Sequence, residues 1–67
     1  SYATKIDTTS TANTIYIGNA AIGSSGASAV WQVKKLNTAS IALDKTWAAG
    51  SDAFTNVWDN RSSLSYS

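Results

Sequence analysis

A chain with neither cysteine nor histidine must hold itself together by burial alone, and at 67 residues it has little to bury. Disulfides and thiolate metal sites are excluded, and so are the commonest metal ligand and the commonest general base. A domain of this size buries only about 60% of its unfolded surface. Ordering the chain costs about 1.5 kcal/mol per residue, so apolar burial must offset nearly all of a large entropy loss. Association with other chains is the one remaining support. Composition points the same way. The formal net charge is +1 and only 13% of residues are charged, well below the roughly 25% of an average soluble protein. Ser, Thr, Ala and Asn take their place, a surface suited to proteins that sit beside other proteins. No apolar run approaches the roughly 18 residues of a membrane span, and no basic start with an apolar run marks a signal peptide. Without an initiator Met, the sequence reads as processed, trimmed or a fragment.

The apolar period is 2 over most of the chain, which predicts strands. Residues 1–13 read as an extended arm or an edge hairpin, with "KID" a short strand and "TTSTAN" a turn. In "TIYIGNA", residues 14–20, Ile15 and Ile17 fall on one face and Thr14 and Tyr16 on the other. Gly18 either ends this strand or lets something bulky lie over its backbone. "AIGSSGAS", residues 21–28, reads as a loop. In "AVWQVKKLN", residues 29–37, Trp31 and Val33 share a face. Val30 and Leu36 then fall on the polar side with Gln32 and Lys34. That predicts either cover on both faces or a bulge near Lys34 and Lys35. "IALDKTW", residues 41–47, reads as a third strand with Lys45 near an edge.

Beyond "AAG" the period changes. Phe54, Val57, Trp58 and Arg61 have the i, i+3, i+4, i+7 spacing of one helix face, predicting a short helix over about 52–61 capped by Ser51 or Asp52. "SLSYS" reads as a closing strand. The fold class is therefore mainly β, a single domain over 1–67 built as a small antiparallel sheet or sandwich with one short helix. Its expected core is Trp31, Trp47, Phe54, Val57, Trp58 and Leu64. Arg61 is expected to reach a carboxylate, Asp44 or Asp59.

Function classes separate on the same residues. Catalysis would have to come from an Asp pair, a Ser/Lys pair or a Tyr in a domain too small for a deep cleft, so the reading is not an enzyme. Lys34 and Lys35 are adjacent on a strand and point to opposite faces, which denies them a joint phosphate-binding patch and argues against nucleic acid. "WDN" at 58–60 offers a sugar-binding vocabulary. The same residues also serve as an aromatic anchor with helix-end caps. "DNR" and "SD" lack the dense oxygen spacing of a calcium loop. No catalytic, metal or cofactor residue is expected. A subunit of an assembly fits low charge, exposed hydroxyls and edge strands, and a generic extracellular β-domain fits them as well, so these features do not separate the two.

One succession of short elements spans residue 14 to the end. It comprises Tyr16 to Gly18, Gly23, Trp31 to Lys34, Trp47 to Gly50, Phe54, Trp58 to Arg61, and Leu64 to Tyr66. In that order and spacing it resembles a small β-rich protein family encoded among the structural genes of tailed bacteriophages, particularly phages of aquatic bacteria. Family members more often carry Asp or Glu where this chain has Asn19 and Ala49, so no chemistry attaches to those acids. The resemblance implies a structural virion component, either a capsid decoration or cementing protein or a tail-associated one. It implies assembly in the bacterial host cytoplasm, partners among other virion proteins and copies of itself, and no cofactor. Nucleic acid and membrane are not expected as partners. The alternative is a carbohydrate-binding or adhesion module on a fibre or cell surface.

Overall fold

The computed structural model describes residues 2–39 and 43–67. It is a mainly β fold whose strands run β1 (Tyr2–Asp7), β2 (Thr14–Ala21), β3 (Ala29–Asn37), β4 (Asp44–Trp47) and β5 (Asn56–Val57), followed by a 3-10 helix (Trp58–Ser63). The first four strands form one antiparallel sheet in sequence order, and β5 pairs with the start of β3. Residues 2–7 are thus the edge strand of a hairpin. Its loop starts where the Asp7 carboxylate accepts the N–H groups of Thr9 and Ser10, both at 3.0 Å, a side-chain mimic of a backbone turn.

Three lines of paired residues cross the sheet and define its faces. Lys5, Gly18 and Val33 lie in line, as do Asp7, Tyr16, Lys35 and Thr46. These residues face the C-terminal segment. The next line, Ile6, Ile17, Lys34 and Trp47, points the other way. The buried core on the first face is Tyr16, Ala20, Trp31, Val33, Ala48 and Trp58, with Leu64 and Tyr66 packed against it. The buried side of β2 is therefore Tyr16, Gly18 and Ala20, and the isoleucines face outward. Gly18 sits at the centre of this side because Trp58 lies over its backbone.

The expected helix over 52–61 is replaced by β5 and the 3-10 turns. Asn56 and Val57 are extended and pair with Trp31 and Ala29. The Ser51 hydroxyl accepts the Ala53 N–H at 3.1 Å in a local turn and caps no helix. A strand leading into a 3-10 helix separates Phe54 from Trp58, which a continuous helix would have placed on one face. Phe54 consequently leaves the core: it is 40% exposed and stacks on Tyr2, with ring centroids 5.5 Å apart. Val57 is half-buried. Of the two alternatives for β3, the bulge at Lys34 and Lys35 does not form, since pairing is continuous from Thr14↔Asn37 to Asn19↔Gln32. The register shift lies instead between Ala29 and Trp31. Residues 41 and 42 of the expected third strand lie outside the described residues; Leu43, just before β4, is 57% exposed. The closing segment is pinned by an Ala48↔Tyr66 bridge. Reciprocal bonds between Trp47 and Ser67 complete it, at 3.0 and 3.1 Å.

Candidate interaction surface

The outward face of the sheet carries more apolar surface than solvent exposure alone would select. Strand alternation places Tyr2 and Ile6 of β1, Ile15 and Ile17 of β2, Val30 and Leu36 of β3, and Trp47 of β4 on it. Tyr2 and Ile6 are 67% and 63% exposed, and Val30 is 41% exposed. The other four are half-buried. Four strands about 4.8 Å apart and about 20 Å long give a face of about 400 Å² in plan. Monomers rarely leave a contiguous apolar patch beyond a few hundred Å² without a use for it.

Polar groups on this face are ordered too. Thr4, Asn19 and Gln32 form a rung across three strands. The Thr4 hydroxyl donates to Asn19 Oδ1 at 2.7 Å, Asn19 Nδ2 approaches Gln32 Oε1 at 3.4 Å, and Gln32 Nε2 donates to the Asp52 carbonyl at 2.9 Å. The last bond, with the Tyr2–Phe54 stack, sets residues 52–54 along one end of the face. Toward the other end, Lys34 and Lys45 lie over the Trp47 ring, at 5.5 and 5.0 Å from its centroid. Trp47, expected in the core, is thus a half-buried ring on the opposite face, sitting under two ammonium groups. Among the described residues the strands give this face Lys34 and Lys45 and no carboxylate.

The remaining cations also sit over rings. Lys35 lies 4.7 Å from Tyr66, Lys5 5.8 Å from Trp31 and Arg61 4.6 Å from Trp58. Lys34 and Lys35 do point to opposite faces. Such contacts stabilise by about 0.5–1 kcal/mol each at exposed sites.

Arg61 finds a carboxylate, but neither Asp44 nor Asp59. Its Nε donates to Asp7 Oδ2 at 2.7 Å, while Nη1 approaches the Trp58 carbonyl at 3.3 Å. Chain ends that no spacing rule connects are joined here, across 54 positions. Asp7, Arg61, Lys5, Thr8, Thr9 and Trp58 line a shallow cleft of about 410 Å³. The Asp7 carboxyl is held far below the usual carboxylate range, first by the Ser10 hydroxyl, then by the Thr9 N–H, Arg61 and the Ser10 N–H. A group that binds its proton less readily when folded stabilises the fold above its ordinary pKa of about 4. That contribution is lost as pH falls further. Thermal midpoints measured down a pH series should therefore drop below about pH 4, and Asp7→Asn should flatten the drop. An unchanged slope in the variant would remove Asp7 as its source. Tyr66 shifts the other way: burial pushes its phenol up to about 12, aided by the nearby Tyr16. Its hydroxyl donates to the Arg61 carbonyl at 2.6 Å.

The sugar-binding vocabulary is not assembled as a site. Trp58 is 6% exposed, with its ring against Gly18, while Asp59 and Asn60 are exposed beside it. Trp31 is fully buried. Among the described residues, no three His, Cys, Asp or Glu side chains gather where a metal ion could bind, and no helix is long and apolar enough to cross a membrane. Sequence reasoning did not single out Tyr2, Ile6, Ile15, Ile17 and Leu36 as a surface. The signal was present in Val30 and Leu36, apolar residues on the polar side of their strand. Comparison with protein-family models, with curated proteins and with solved structures gives no match to this chain.

Proposed function

We propose that this chain is a structural virion protein, coat- or tail-associated, that acts by binding neighbouring protein surfaces through its open sheet face. The observation that carries the reading is that face itself: Ile6, Ile15, Ile17, Leu36 and Trp47 lie side by side outside the core. Uncovered strands with an apolar face lose water favourably when another surface closes over them, at about 25 cal/mol per Å². Many copies on a symmetric lattice would stabilise each small domain by mass action. The virion setting rests on the family resemblance, and the mode of binding rests on the geometry.

The test is quantitative mass spectrometry of purified particles of the phage that encodes the chain. Wild-type chain is expected in the particles, and Ile6→Asp with Leu36→Asp is expected to abolish its incorporation while leaving the soluble domain folded. Particles that lack the wild-type chain would end this reading. The sugar-binding alternative keeps one foothold, the exposed Tyr2–Phe54 stack. Glycan binding by the pure chain that Tyr2→Ala removes would favour it.

A further inference from the structure

We propose that the open face pairs with the same face of a second copy, about a two-fold axis that lies across the strands, bringing Lys45 of each copy to the partner's Asp52. The inference deepens the assembly reading above by naming the occupant.

Charge and row order argue for it together. The two ends of the face differ. Lys45, level with Ile15 and Leu36, marks one end. Asp52 marks the other, fixed there by its carbonyl bond to Gln32, with its side chain exposed. Two sheets that meet face to face can be related by a two-fold axis along the strands or across them. An axis along the strands gathers all four ammonium groups, Lys34 and Lys45 twice over, at one end of the interface with no counter-charge. An axis across the strands does the opposite. It lays the Ile17–Lys34 row over the partner's Asn19–Gln32 rung, and the Ile15–Leu36 row over the partner's Ala21 and Val30. Ammonium then meets amide or carboxylate, and apolar meets apolar. An isologous contact of this kind is self-complementary and closes at two copies.

Two faces of about 400 Å² in plan fall below the roughly 1,200 Å² of a stable standard interface, so the pair is a weak, concentration-dependent one. Sedimentation equilibrium on the pure chain from about 10 μM to about 1 mM covers the affinities expected of it. A monomer–dimer equilibrium is the expected result. Lys45→Asp and Asp52→Lys alter exposed side chains; the first also gives up the Lys45–Trp47 contact, and circular dichroism checks that both variants fold. By symmetry each reversal creates two like-charge pairs and should weaken the dimer about tenfold or more. The double variant K45D/D52K should recover most of the loss. A monomer throughout the range, a dimer indifferent to both reversals, or no recovery in the double variant would overturn the pairing. Open-ended growth into larger species would overturn it as well. The two readings fail separately. A chain found in particles yet always monomeric loses self-pairing alone, and a dimer missing from particles loses the virion reading alone.

Discussion

Replacing Trp58 with alanine is expected to remove about half or more of the isolated chain's stability. The indole is 6% exposed and lies 6.0 Å from the Trp31 ring, centroid to centroid. It is also the residue through which the C-terminal segment grips the sheet: its ring covers Gly18 and Arg61 covers it in turn. Large-to-small changes at such positions cost about 3–5 kcal/mol, because transfer energy and the cavity both count. Total stability at about 0.1 kcal/mol per residue comes to only about 7 kcal/mol for a chain of this length. Urea unfolding followed by circular dichroism reads the difference, and Trp58→Phe should fall between the two. A Trp58→Ala chain with a wild-type midpoint would show that this ring does not hold the domain together.

Gly18→Ala should also destabilise, against what backbone propensity predicts. Glycine inside a strand ordinarily costs about 0.5–1 kcal/mol relative to alanine, so the swap would normally help. Here the added methyl would sit 2.5 and 2.8 Å from Cε3 and Cζ3 of Trp58, and 3.1 Å from Cε3 of Trp31. These are rigid rings at the centre of the core, and overpacking of this kind costs about 1–3 kcal/mol. The steric term outweighs the propensity term. Pairing Gly18→Ala with Trp58→Leu isolates the contact. The double variant should be more stable than the sum of the singles predicts, by about 1 kcal/mol or more. Simple additivity would mean that the two residues do not meet.

The Gly18 position shows what could be read from sequence and what could not. A glycine at the centre of a strand pattern signalled either the strand's end or something bulky crossing the backbone there, and the second holds. That the crossing residue is Trp58, forty positions on, no local rule supplies. The strands themselves were legible because β-branched and aromatic residues alternate in "TIYIGNA" and "AVWQVKKLN". Which side of β2 is buried was not legible, since Tyr16 and Ile17 are both acceptable in a core. The choice follows from Gly18 and Ala20 leaving space, a property of the partner layer. The helix's type and start were misread for a related cause: Phe54, Val57, Trp58 and Arg61 match a period of 3.6, and a strand turning into a 3-10 helix at Trp58 imitates it over so few residues. Phe54 then pairs with Tyr2 and Arg61 with Asp7, both partners lying in the first strand. The interaction surface was half-visible. Val30 and Leu36 broke the expected alternation, but their apolar neighbours on β1 and β2 could be added only once the register was known.

The Asp7–Arg61 ion pair, with the Trp47–Ser67 hydrogen bonds, has a consequence for how the domain folds. The core cluster is completed by Trp58, with Leu64 and Tyr66 against it, so the four-stranded sheet has no closed interior until the segment beyond position 57 docks on it. Contacts between the two ends of the domain are distant along the chain, so sheet and closing segment should form together in one cooperative, comparatively slow step rather than as an early half and a late one.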